Sequence, residues 1–176
     1  MITSTAVVPY PQVLVMNVPL AWPAAGRVLF DTLEASRDRL VLVFGDQAAT
    51  DALVDRLVTD LGFAMVRLGG ALAPLPGPPT RADIAVAIGS ATVVADLDCL
   101  LWPDFEVPLL PFLADLSRQR LVIAVWPGDI TNGRARYSAP GRPDHYNQPV
   151  TSALLLRPRT PRYPDEVPYD IERITQ

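Results

Sequence analysis

The chain of 176 residues contains no lysine; all fifteen basic residues are arginine, set against nineteen acids. A phosphate ligand would therefore have to be held by guanidinium groups or by backbone amides. Cysteine and histidine occur once each, as Cys99 and His145. That excludes an internal disulfide framework and leaves no zinc ligand set, so no metal site is expected. Cys99 lies in an apolar run typical of buried thiols, which argues against pairing it with His145 as a nucleophile. The absence of a G-x-S-x-G sequence removes the α/β-hydrolase elbow. No apolar run approaches the ~20 residues of a membrane span. The N-terminus lacks the basic start and apolar block of a secretory signal. These absences predict a cytoplasmic protein without membrane contact.

What is present points to one α/β domain. About half the residues are apolar (49%), enough for a sizeable core, and 19 prolines punctuate the chain. The organising stretch is 40–61. Leu40–Phe44 is a short continuous apolar run, read as a strand buried on both faces. Gly45–Ala52 then leads into a helix along which Leu53, Val54, Leu57, Val58 and Leu61 recur at helical spacing, closed by Gly62. Strand, tight loop and helix form the frame of a phosphate-binding loop, G-x-x-x-x-G-K-[ST]. Only its first glycine survives, as Gly45. Thr50 stands for the second glycine, Asp51 for the lysine and Ala52 for the Mg²⁺-binding hydroxyl. The charge at the key position is inverted, and an aspartate repels the polyphosphate a lysine attracts.

Residues 1–11 read as a loose leader, 12–156 as a single P-loop NTPase-like, three-layer domain with a mostly parallel sheet, and 157–176 as an extended tail. Further strands are expected at 12–18, 63–68, 92–95, 121–126 and 151–156. Helices are expected at 24–37, 80–88 (with Thr80 as N-cap and Asp83 near its start) and 108–117. The proline-rich run 74–79 is a stiff connection. Asp96 and Asp98 close the strand at 92–95. They read either as turn and cap carboxylates or as relics of the acids that hold Mg²⁺ in P-loop ATPases. Arg118 and Arg120, after Ser117, precede the last core strand and read as sensor or interface groups, or as arginines complementing a helix dipole. Trp126 ends that strand as a core or rim anchor.

The net charge of −4 makes the whole molecule a poor polyanion binder, yet 131–163 carries six arginines against Asp144 alone. With Tyr137, His145 and Tyr146 interleaved, this third suits a protein interface or single-stranded nucleic acid.

Three blocks carry a resemblance: Ser117-Arg118-Gln119-Arg120, the strand end Trp126-Pro127-Gly128, and Tyr137-Ser138-Ala139-Pro140-Gly141-Arg142-Pro143-Asp144-His145-Tyr146. In this order they resemble the BrxF family, small P-loop-containing proteins of type 3 BREX bacteriophage-defence systems. The likeness covers about a fifth of the chain well, from Leu113 to Tyr146, and the rest by order of elements. Nucleotide-binding members have an intact glycine-lysine loop where this chain has Thr50-Asp51, and the family's histidine after glycine is Arg142 here. The resemblance implies a divergent member with a degenerate Walker A loop. It would serve as a scaffold beside the methyltransferase, phosphatase-like and helicase-like components of a defence complex. Three functions are therefore carried forward. One is a non-catalytic P-loop-fold subunit with no cofactor, contacting partners through Trp126, Tyr137, Arg142, His145 and Tyr146. The second is an ATPase using ATP and Mg²⁺ at Asp96 and Asp98 with a partner-supplied basic residue. The third is an accessory that touches DNA or RNA through the arginine-rich third.

Overall fold

The computed structural model describes residues 16–18, 22–36, 39–105 and 107–175, the side chains of 16–18 and 175 excepted. In chain order the first half comprises β1 (Met16–Val18), α1 (Ala24–Ala35), β2 (Leu40–Val43), α2 (Gln47–Thr59), β3 (Met65–Arg67), α3 (Leu68–Leu72), α4 (Arg81–Ile88) and β4 (Val93–Ala95). A 3₁₀ turn, Leu97–Leu100, follows. The second half comprises α5 (Leu109–Ser117), β5 (Val122–Val125), β6 (Asp129–Thr131), β7 (Arg134–Tyr137), β8 (Tyr146–Pro149), β9 (Ser152–Pro158) and β10 (Tyr169–Thr175). The leader 1–11, residues 12–15 of the first expected strand and the end of the first expected helix at Arg37 lie outside the described residues.

The apolar runs of β2, β4 and β5 are buried along both faces, which places them at the centre of a sheet. Seven strands pair in the order β1-β10-β9-β2-β5-β4-β3. The five from β9 to β3 run parallel, while β10 and β1 are antiparallel additions. The protein is thus α/β with a mostly parallel sheet. Alternation along β2 divides the interior in two. Leu40 and Leu42 join Ile84 and Ile88 of α4 and Leu109 and Leu113 of α5 on one face. Val41 and Val43 join Leu29 and Leu33 of α1 and Leu53 and Leu57 of α2 on the other. Helix, sheet and helix make three layers.

Local chemistry explains the better-placed ends. Thr80 and Asp83 form a reciprocal capping box on α4: the Asp83 amide donates to Thr80 Oγ1 at 3.2 Å, and the Thr80 amide donates to Asp83 Oδ2 at 2.8 Å. The Thr80 hydroxyl, which donates to Asp83 Oδ2 at 2.6 Å, and after it the Thr80 amide hold the Asp83 carboxyl below its ordinary pKa.

Three segments differ from the sequence expectation. The strand expected at 63–68 stops at Arg67, and Leu68 opens the short helix α3, which buries it in the core. Residues 129–149, where no strand was expected, build a second antiparallel sheet, β6-β7-β8. The expected tail contributes β10, wedged between β9 and β1 with seven register pairs to β9, so the domain continues through residue 175. Tyr169 anchors β10: it is fully buried, and its hydroxyl donates to the Ala25 carbonyl at 2.5 Å.

Candidate functional site

The C-terminal ends of β2, β4 and β5 open on one polar cleft of about 290 Å³. Strand β2 lies between β5 and β9, and from its C-terminal end the chain passes through α2 to β3 at the far edge of the sheet.

The cleft begins at the turn after β2, and here the structure departs from the motif reading. The expected loop of eight residues, Gly45–Ala52, is a turn of Phe44, Gly45 and Asp46, and α2 starts at Gln47. Gly45 adopts φ +132°, a conformation side chains disfavour, and an added Cβ would face Arg157 Cγ at 3.5 Å. Asp46 is the N-cap, its carboxylate accepting from the Ala49 amide at 2.9 Å. With a strong cap followed by Gln-Ala-Ala and no second glycine, the helix forms three residues before Thr50. An N-terminus that binds phosphate turns free amides and a positive dipole end toward the ligand. In this turn the chain's own carboxylate already takes that position.

Thr50, Asp51 and Ala52 are consequently helical. Asp51 and Ala52 are exposed, and Asp51 accepts from Gln47 Nε2 at 2.9 Å. Thr50 is 3% exposed, and its hydroxyl has no hydrogen-bond partner. Across the cleft, Asp96 sits in the left-handed region at φ +58° and pairs with Arg67 Nη1 at 3.2 Å. Asp98 is exposed in the 3₁₀ turn. Among the described residues no group of three or more His, Cys, Asp or Glu side chains converges as a metal site. Burial foremost, then Asp98 and Asp96, pushes the Cys99 thiol up to about 11, which keeps it protonated and unreactive at neutral pH. Burial foremost, then Asp98 and Asp144, also raises the Tyr137 hydroxyl.

The remaining candidates are scattered. Ser117, Arg118 and Arg120 precede β5 and so stand at the end of the sheet away from the cleft, about 13 Å along a four-residue strand. None of the three lines this cleft. Arg120 Nη1 donates to the Ala91 carbonyl at 2.9 Å, Arg118 pairs with Asp115 at 3.6 Å, and the Ser117 hydroxyl returns to the Ala114 carbonyl.

Trp126, expected as an interface residue, is 2% exposed and belongs to the interior. Its Nε1 donates to the Arg136 carbonyl at 3.0 Å, and its ring packs on Tyr146 at a centroid distance of 5.2 Å. Gly128 presses against the same carbonyl, where a Cβ would collide with backbone. The Trp-x-Gly block is a docking point for the small sheet. Burial pushes the Tyr146 hydroxyl up. Arg142 and His145 are exposed on the β7–β8 loop. Beneath them the buried Asp144 accepts from Ser138 Oγ at 2.8 Å and Arg142 Nε at 3.2 Å.

Four arginines of the basic third have partners within the molecule. Arg134 bonds Asn147, Arg142 pairs with Asp144, Arg157 with Asp129 and Arg159 with Asp170. Sequence reasoning missed two cleft-forming groups. Asp46 carried a signal, an N-cap residue before good helix formers. Arg67 carried none, because its partner lies 29 residues away. Compared with family models, curated proteins and solved structures, the chain matches none.

Proposed function

We propose that this chain is a P-loop-like α/β subunit with a degenerate nucleotide site, acting mainly through protein–protein contacts as an accessory component of a BREX-type antiphage complex. The observation that carries the degenerate-site reading is the closed N-terminus of α2, where Asp46 caps Ala49 and Asp51 replaces lysine. The P-loop-like reading draws on topology: β5 separates the glycine-bearing β2 from the acid-bearing β4, and both ends face one cleft. The defence context draws on the resemblance of residues 113–146. A working ATPase is less well supported, since Asp96 is already paired with Arg67 and the acids do not converge. Nucleic-acid binding loses support because four of the six arginines in the basic third are engaged internally.

Thermal unfolding with millimolar ATP, ADP or GTP plus Mg²⁺ tests the site. Ligand at a hundred times its dissociation constant stabilises a protein by about 2.7 kcal/mol, a rise of several degrees at this size. The expected result is no rise. A rise that disappears in Asp96→Ala would overturn the degenerate-site reading. Co-purification of the tagged chain with the other components of a BREX operon tests the partners, and recovery of the chain alone would overturn the accessory role.

A further inference from the structure

We propose that a second pocket, at the end of the sheet opposite the cleft, binds a free hydrophobic α-amino acid through both of its charges. The inference goes beyond the accessory-subunit reading and does not depend on it.

The pocket forms where two helices end over the start of the sheet. Helix α1 finishes at Ala35, Ser36 caps it, and the chain re-enters the sheet at Leu40. On the same face α2 ends at Thr59, and Gly62, at φ +69°, turns the chain so that Phe63 lies beside Phe30. The two rings stack with centroids 6.3 Å apart and planes 20° apart. Leu33 and Leu121 complete the apolar wall. The space they border is about 460 Å³, larger than the cleft and well inside the range of small-molecule pockets.

Two opposite charges stand at this pocket with little to engage them. Glu34, in the last turn of α1, and Arg39, just before β2, both line it and are exposed. Among the described residues Glu34 has no hydrogen-bond or ion-pair partner. Arg39 makes one long bond, from Nη1 to the Gln119 carbonyl at 3.4 Å. Elsewhere on the surface such groups find each other, as Arg56 does Asp60 and Arg81 does Asp115. Here a carboxylate and a guanidinium share one wall and remain apart. An ammonium and a carboxylate carried on one carbon bridge that gap, each pole against its opposite. The C-terminal end of α1 adds its negative pole on the Glu34 side, and the last turn holds no basic residue to offset it. The buried Ser36 hydroxyl is already held by Arg173 Nη2 at 3.1 Å and takes no part.

Other ligand classes fit less well. A nucleotide or sugar phosphate sets several negative charges against one guanidinium and beside Glu34. A fatty acid leaves Glu34 unpaired. A neutral zwitterion satisfies both groups, and an aromatic side chain extends the Phe30–Phe63 stack. Because both charges face water, each contact is weak and the affinity modest.

The test is a titration of the ¹⁵N-labelled full chain, near neutral pH and at low salt, with L-phenylalanine, L-phenylalaninamide and hydrocinnamate. Saturable amide shifts at Phe30–Ser36, Arg39, Phe63 and Leu121 are expected with phenylalanine, with a dissociation constant on the order of 1 mM. The amide lacks the carboxylate and hydrocinnamate the ammonium, so each should bind about tenfold more weakly. Glu34→Gln should weaken phenylalanine about tenfold and leave hydrocinnamate unchanged. Arg39→Gln should weaken phenylalanine similarly and leave the amide unchanged. Both positions are exposed, so the fold should persist, and the paired pattern assigns each charge to its pole. Hydrocinnamate binding as tightly as phenylalanine, or no saturable shift at these residues up to about 20 mM phenylalanine, overturns the proposal.

Discussion

The two sheets of this protein share a core but commit to it unequally. In the seven-stranded sheet, β2 offers four consecutive buried apolar residues and is clamped between two helical layers. In the three-stranded sheet, burial is patchy: Ile130 in β6 and Ala135 in β7 face inward while their neighbours are exposed or half-buried. It joins the main core through Ile130, Ala135, Tyr137 and Tyr146, and is pinned where Trp126 and Gly128 meet the Arg136 carbonyl and where Arg157 lies over Phe44 while pairing with Asp129. Damage to the first should be large and felt throughout the fold, whereas damage at the edge of the second should be smaller and local.

That contrast can be broken from either side. Leu42→Ala opens a cavity beneath the central strand and should cost about 2–5 kcal/mol, lowering the midpoint of global thermal unfolding by roughly 10 °C. Gly128→Ala forces a Cβ into backbone and should cost about 1–3 kcal/mol. Amide exchange should locate the loss in β6–β8 and leave β2 protected. Trp126→Phe removes the indole bond to the Arg136 carbonyl, a smaller loss of about 1–2 kcal/mol with the same local signature. A uniform loss of protection across both sheets in either variant would show that the small sheet is an integral part of the main core.

The smallest expected effect is a pH dependence of the β7–β8 loop. The Ser138 hydroxyl first, and Arg142 after it, hold the Asp144 carboxyl below its ordinary value. A depressed folded pKa contributes stability that is present above the unfolded value near about 3.9 and lost as pH falls through the folded one. Protection of β7 and β8, taken relative to the intrinsic exchange rate at each pH, should fall below about pH 4 compared with pH 6, and Asp144→Asn should abolish that difference. An unchanged acid response in Asp144→Asn would assign the effect to another group.

Legibility in the sequence followed the same division. Leu40–Val43, Val122–Val125, the Thr80–Asp83 cap and the apolar side of α5 were readable because each is local: a short run, a spacing or a capping pair dictates its own conformation. The small sheet was not, since its strands are rich in arginine and polar residues. Ile130 and Ala135 become core only once Trp126 has fixed the hairpin beneath them. Strand β10 carried a readable alternation, Tyr169 and Ile171 facing inward, but the prolines before it favoured an extended tail. The cleft was half legible. Gly45, Thr50, Asp51, Asp96 and Asp98 were named from a motif, whereas the early start of α2 turned a supposed loop into a helix and Arg67 arrived from another strand.

By itself the sequence determined the alternation of apolar strands and amphipathic helices, and the absence of lysine from the whole chain. Those are properties of composition and spacing, which act over a few residues. Only the tertiary structure decided that Asp46 closes the helix end, that Trp126 faces inward, and that Thr50 and three carboxylates share one cleft. Each of these depends on groups distant in the chain, or on which of two local conformations the surrounding packing selects.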